Sequence, residues 1–138
     1  NILLSTFLVV SVSVPLLSVV YPLYPFQPIP YNNIPFPIVK SEIHAGGKVP
    51  FTIDYCTIGN QSYKVIAQLK NVETTVTVAL GTLDRNVPKG CNTFISEVWS
   101  VPIDTPPGSY QIEFLSVYTY PLGRVMSIPN QTAVFTVI

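Results

Sequence analysis

The sequence predicts an all-β protein, and three observations favour this class. Val, Ile, Thr and Tyr are plentiful, and β-branched and aromatic residues are favoured in strands. The 138 residues include 14 prolines, and proline breaks helices but is tolerated in turns and at sheet edges. Runs of alternating apolar and polar residues recur along the chain, as in strands that bury one face. A single core is expected, because domains commonly contain about 100 to 150 residues.

The distribution of charge divides the chain into two parts. The first 39 residues carry no charge, and all the Asp, Glu, Lys and Arg side chains lie from Lys40 onward. Exposing apolar surface to water costs about 25 cal/mol per Å², so the apolar leader must be covered by its own domain, by another copy or by lipid. We therefore divide the chain into an N-terminal arm of residues 1–20, a linker of residues 21–37 and a domain of residues 38–138.

The arm has the alternation of a strand over its first fifteen or so residues. Its even positions are mostly large and apolar, whereas several odd positions hold Ser. The even positions that we expect to contact a neighbouring subunit are Ile2, Leu4, Leu8, Val10, Val12, Val14 and Leu16. A transmembrane helix is the alternative, because twenty residues rising 1.5 Å each reach about 30 Å, the thickness of a bilayer core. Pro15 and the run of valines weigh against this helix.

The linker, residues 21–37, is rich in proline and in aromatic residues. Proline fixes its own φ and pushes the preceding residue towards an extended conformation. We therefore expect a semi-rigid, polyproline-like spacer of about 3.1 Å per residue. Its aromatic rings would be free to lie on a neighbouring surface.

The domain, residues 38–138, contains seven alternating runs separated by turn residues, and this spacing predicts one immunoglobulin-like β-sandwich. The predicted strands are Ile38 to His44, Lys48 to Cys56, Ser62 to Lys70, Val72 to Leu80, Thr93 to Val101, Ser109 to Tyr120 and Gln131 to Ile138. The side chains predicted to share buried faces are Phe51, Ile53 and Tyr55, then Tyr63, Val65, Ala67 and Leu69, and then Tyr110, Ile112 and Phe114.

Cysteines and glycosylation motifs point to an oxidising location. Cys56 and Cys91 are the two cysteines, and a bond between them would stabilise the domain by about 4 kcal/mol in the chain-entropy model. Asn60 and Asn130 each begin an Asn-x-Ser/Thr triplet, the acceptor motif for N-glycosylation. We predict the disulfide and an extracellular or cell-surface location.

The composition offers little for catalysis or nucleic-acid binding. Only 10% of the residues are charged and the net charge is zero, whereas phosphate binding needs clustered Lys and Arg. His44 is the one histidine, so this chain alone cannot build a cluster of His metal ligands. Glu42 is predicted on the same strand face as His44, but no nucleophile motif accompanies them. We expect no enzyme, no catalytic residue, no metal and no cofactor.

An uncharged apolar arm, an extended linker and a small disulfide-bonded sandwich together resemble the subunits of donor-strand-assembled extracellular filaments, such as archaeal threads and pili. The resemblance covers the organisation of the whole chain. It implies a structural protein that polymerises head to tail with copies of itself, the arm of one subunit filling a groove in the next. Archaeal type IV-like pilins, in which the apolar segment is a helix in the filament core, are a variant that Pro15 disfavours.

A second resemblance covers the sandwich alone. The segments that carry it are Tyr55-Cys56, Gly90-Cys91, Pro106-Pro107-Gly108-Ser109-Tyr110 and Tyr120-Pro121-Leu122-Gly123-Arg124. They are similar to small virus-encoded extracytoplasmic β-domains. This resemblance implies a membrane-anchored domain with residues 1–20 as a transmembrane helix, and only here is a membrane expected as a partner.

Overall fold

The computed structural model describes residues 29–138, and this part of the chain confirms the all-β fold class. The arm and residues 21–28 of the linker lie outside the described residues. The strands are β1 Glu42–Ile43, β2 Phe51–Thr57, β3 Gln61–Asn71, β4 Thr77–Val87, β5 Gly90–Ser96, β6 Gly108–Thr119, β7 Val125–Gln131 and β8 Phe135–Val137. A short 3-10 turn, Pro121–Gly123, joins β6 to β7.

The strands form two sheets that pack face to face as a β-sandwich. The larger sheet has six strands in the order β1-β8-β6-β3-β4, with β7 paired to β6 beyond β8 along the same edge. The smaller sheet is the antiparallel pair β2 and β5. Phe51 of the smaller sheet meets Phe114 of the larger sheet, with ring centroids 5.4 Å apart. The core therefore lies between the sheets.

The central strands β3 and β6 alternate buried and more exposed side chains, as predicted. In β3 the odd-numbered residues from Tyr63 to Leu69 are buried and the intervening residues are exposed. In β6 the even-numbered residues from Tyr110 to Tyr118 are buried. Because opposite residues of an antiparallel pair share a face, Ala67 and Phe114 pack on the same side of the sheet.

Residues 29–37 differ from the semi-rigid spacer predicted for this part of the linker, because they pack against their own domain. Phe36 is 3% exposed and packs between Phe51 and Phe114. The backbone follows the outer edge of β2, since Asn32 N donates to Asp54 O and Thr52 N donates to Pro37 O. Aromatic side chains that can turn inward between sheets gain more by burial than by lying on a surface. The described domain therefore begins before Ile38.

The fourth predicted strand, Val72 to Leu80, is displaced: β4 is Thr77–Val87. The side-chain oxygen of Asn71 accepts hydrogen bonds from Glu73 N and Thr74 N, at 2.9 and 3.0 Å, and Thr75 has φ +61°. This Asn-directed turn overrides the strand preference of the β-branched residues around it. A bulge between Ala67 and Gln68 then shifts the register of β4 against β3.

Further strand boundaries were wrong, and one strand was missed. The fifth predicted strand, Thr93 to Val101, begins and ends earlier, as β5 Gly90–Ser96. The first, Ile38 to His44, is reduced to β1, after an isolated bridge from Ile38 to Phe51. The strand β7 was missed because Pro129 lies within it. Proline is tolerated there because β7 lies at a sheet edge.

The burial of Phe36 predicts that residues 29–37 contribute to the stability of the domain. Phe36→Ala should lower the free energy of unfolding by about 3 to 5 kcal/mol, since it removes a buried ring and leaves a cavity. Val39→Ala is the matched control, because Val39 is 55% exposed and its loss should cost less than about 0.5 kcal/mol. Urea unfolding of the two variants measures both effects. Equal free energies of unfolding for Phe36→Ala and Val39→Ala would mean that residues 29–37 are only loosely associated with the domain.

Candidate assembly site

The strand directions define two ends of the sandwich. Ile29, where the described chain begins, lies near the start of β3 and the finish of β6, and we call this the N-terminal end. The opposite end holds the turn of residues 72–76, the loop of residues 97–107 and the last residue, Ile138. We call it the C-terminal end. The chain therefore enters and leaves the domain at opposite ends.

Three tyrosines hold the chain where it enters the domain. Ile29 N donates a hydrogen bond to Tyr118 Oη at 3.3 Å, and the hydroxyls of Tyr31 and Tyr63 are 3.1 Å apart. The rings of Tyr63 and Tyr118 stack with centroids 5.0 Å apart. Burial, with the neighbouring Tyr63 adding to it, raises the pKa of Tyr31 well above its ordinary value, and burial raises the pKa of Tyr118 to about 12. This tyrosine clasp (Tyr31, Tyr63 and Tyr118) fixes the place from which the preceding residues must leave.

An apolar cleft of about 340 Å³ opens at the C-terminal end. It lies between the beginning of β4, with the turn before it, and residues 102–106 of the loop. Leu69 forms its floor from β3, and Tyr110 lines it while donating a hydrogen bond to Pro106 O at 2.8 Å. The cleft exists because β5 ends at Ser96, so no regular strand of the smaller sheet covers the beginning of β4.

The cleft leaves apolar side chains uncovered on the inner side of the larger sheet. Val78 of β4 is opposite Leu69 in the register, and opposite residues share a face. Leu69 is 2% exposed, whereas Val78 is 49% exposed and Val76, just before the strand, is 62% exposed. Both valines lie within the fourth predicted strand, Val72 to Leu80, but nothing in the sequence showed that the smaller sheet leaves them uncovered.

Between the sheets, the N-terminal half of the sandwich leaves much less space than the cleft. Arg85 of β4 lies over the ring of Phe94 in β5, 5.3 Å from its centroid, so the edges of the two sheets meet there. The space between the sheets at Phe51, Phe114 and Trp99 is a void of only about 40 Å³. Such a void has room for a few water molecules at most.

The predicted disulfide is confirmed: Cys56 and Cys91 are bonded. They are opposite each other on β2 and β5, so the bond joins the two strands of the smaller sheet. A two-stranded ribbon is marginally stable alone, and closing a loop across 35 residues contributes about 4 kcal/mol in the chain-entropy model. The bond also fixes the register of the ribbon.

The two sequons lie in different surroundings. Asn60 is exposed in the turn between β2 and β3, where its side-chain oxygen accepts a hydrogen bond from Lys89 N at 2.8 Å. Asn130 is opposite the buried Phe114 in the register and lines the void between the sheets. It is therefore half-buried on the inner face of β7.

The other sequence-predicted residues are placed as follows. Ile2, Leu4, Leu8, Val10, Val12, Val14 and Leu16, the predicted subunit contacts, lie outside the described residues. His44 and Glu42 are exposed around β1. Trp99, Tyr55 and Tyr110 are buried in the core, and the burial of Tyr55 and Tyr110 was predicted.

From residue 29 onward, neither a metal-binding cluster nor a membrane-crossing helix is found. In this part of the chain, no group of three or more His, Cys, Asp and Glu side chains is arranged to hold a metal ion. The same residues form no helix that could span a bilayer.

Comparison with known proteins identifies no family. No protein-family model matches the sequence, and no curated protein matches it either.

The tyrosine clasp predicts a loss of stability at alkaline pH. In the unfolded chain a tyrosine ionises near pH 10, whereas folded Tyr118 stays neutral to about pH 12. The free energy of unfolding should therefore fall between about pH 10 and pH 12, by roughly 1 to 3 kcal/mol from this residue. Urea unfolding at a series of pH values measures the slope, and Tyr118→Phe should flatten it. A slope that this variant leaves unchanged would contradict the assignment.

The sequon surroundings predict selective glycosylation. A protein produced in a glycosylating host should carry sugar at Asn60 and little or none at Asn130, because only Asn60 is exposed as an acceptor. Peptide mass spectrometry measures the occupancy of each site. The control is Ser62→Ala, which removes the first sequon without changing Asn60. Equal occupancy of both sites in the folded protein would show that the inner face of β7 is open.

Proposed function

We propose that this protein is a structural subunit of an extracellular filament, and that it polymerises when the N-terminal arm of one copy inserts into the sandwich of the next. It acts as a building block and not as an enzyme, and its partners are head-to-tail copies of itself. The observation that carries the proposal is the position of the apolar cleft: the described chain begins at one end of the sandwich and the cleft opens at the other. A contact between opposite ends is heterologous, and it repeats into a fibre unless its rotation closes a ring.

The composition of the arm supports this function. An uncharged segment with alternating apolar residues is suited to adding a strand to a sheet, because one face can be buried while main-chain hydrogen bonds extend the ladder. About fifteen residues added in this way would bury on the order of 1,000 Å², the size of a stable interface. The arm would be kept from water by a neighbouring subunit.

The disulfide supports an extracellular place for the filament. Disulfides such as Cys56–Cys91 persist mainly in oxidising surroundings outside the cytosol. The low charge of the chain, 10% of residues, suits a protein whose surface is largely covered by copies of itself. An exposed acceptor at Asn60 is compatible with a glycosylated surface structure.

A charge on the apolar face of the arm should abolish polymerisation. Val12→Asp would place an unpaired carboxylate in a buried strand, at a cost of several kcal/mol, and a loss of about 3 kcal/mol weakens each subunit contact more than a hundredfold. Val10→Asp should behave in the same way. Electron microscopy and analytical ultracentrifugation of the purified variants measure filament formation.

The matched control is Ser11→Asp, which adds the same charge to the opposite face of the predicted strand. This variant should still form filaments. Circular dichroism should show a folded sandwich in all variants, since the substitutions lie outside residues 29–138. Normal filaments from Val12→Asp would contradict the proposal. A loss of binding to lipid vesicles instead, with no filaments from the unmodified protein, would support the membrane-anchored alternative.

A further inference from the structure

We propose that the acceptor for the arm is the cleft at the C-terminal end together with the free edge of β4, and that its occupant is residues 1–20 of a second copy. This inference rests on the proposed function and adds to it which part of the sandwich receives the strand. The acceptor is defined by Val76, Val78 and Leu69 on the inner face and by the outer edge of Thr77–Val87.

The inner face of the larger sheet is incomplete at this point. Val78 and Leu69 share a face in the register, yet Val78 is 49% exposed and Leu69 only 2%. Elsewhere the corresponding positions of β3 and β6 are buried under the smaller sheet. A strand added at the edge of β4 would extend the larger sheet, and its inward apolar side chains would lie beside Val76 and Val78 in the cleft.

The edge of β4 can also supply main-chain hydrogen bonds. Among the described residues β4 pairs only with β3, so its other edge presents unpaired N–H and C=O groups. The strand β7 is also at an edge, but Pro129 lacks an N–H there and Phe36 pairs with the backbone beside its C-terminal residue, Gln131. The edge of β4 contains no proline. It is the better template for an extra strand.

The chemistry of the cleft matches the arm. Asp104 is the one charged residue among those that line it, and the rest are apolar or uncharged. The arm contains no charge, and Ser5, Ser11 and Ser13 fall on the face opposite the even-numbered Val and Leu residues. An inserted arm would therefore bury Val and Leu against Val78 and turn Ser towards solvent.

The positions of the two ends favour a second copy over the arm of the same chain. Ile29 is held beside Tyr118, whereas the cleft lies beside Tyr110, eight positions earlier on β6 and therefore about 26 Å away. An arm filling its own cleft would have to turn back along the whole sandwich. In a head-to-tail row the N-terminal end of one copy, where Ile29 is held, faces the C-terminal end of the next.

Thiol cross-linking between copies tests this assignment. Cys56 and Cys91 are consumed in the disulfide, so no native free thiol competes. Two differently tagged full-length copies are produced together, one with a cysteine in the arm and one with Val78→Cys, and filaments are treated with a short bismaleimide. The arm substitutions are Leu8→Cys, Val10→Cys, Val12→Cys and Val14→Cys on the apolar face, and Ser11→Cys and Ser13→Cys on the other. Ser127→Cys on β7 replaces Val78→Cys as the matched control.

The expected result is a cross-link between copies from at least one apolar-face position to Val78→Cys, at least tenfold stronger than to Ser127→Cys and stronger than from either Ser position. Filaments that cross-link mainly to Ser127→Cys would overturn the assignment to β4 and leave the proposed function standing. A monomer carrying both cysteines that cross-links within one chain would show self-insertion and also overturn it. The absence of any filament from the unmodified protein would overturn the proposed function itself.

Discussion

The inner face of a six-stranded sheet has to be kept from water, and in the described domain only two regular strands lie opposite it. The smaller sheet is supplemented on one side by residues 29–39, which follow the outer edge of β2 and insert Phe36 between the sheets. On the other side the loop of residues 97–107 contributes Trp99 and Val101 to the core. This covering ends before the beginning of β4, where Val76 and Val78 stay exposed. The cleft lies over the part of the larger sheet that the smaller sheet does not cover.

The same imbalance explains the other stabilising features. A two-stranded ribbon has little stability alone, so the disulfide between Cys56 and Cys91 and the backbone contacts of residues 29–39 hold β2 and β5 over the core. The tyrosine clasp fixes the segment at its first described residue. An assembly that pulls on the arm would load this clasp and the edge of β2. The features that complete the domain are thus also those that would transmit force between subunits.

Much of the domain could be predicted from the sequence because alternation is strongest where a strand is buried on one face. The central strands β3 and β6 were predicted on that basis, with buried faces from Tyr63 to Leu69 and from Tyr110 to Phe114. The disulfide was predicted from the two cysteines and the glycosylation motifs. The turn at Asn71 was not predicted, because a single side chain that binds two backbone N–H groups overrides a run of β-branched residues. The strand β7 was hidden by Pro129, which only an edge position allows. The cleft depends on where β5 ends relative to β4, a tertiary relation that no local pattern records.

The central claim is that the arm joins one sandwich to the next, and the oligomeric state of the chain with and without residues 1–20 tests it most directly. Residues 21–138 retain every described core residue, so this shortened protein should fold. Analytical ultracentrifugation in aqueous buffer should show long polymers for the full chain and a monomer for the shortened one. A shortened protein that still polymerises, or a full chain that stays monomeric without lipid or detergent, would contradict the account.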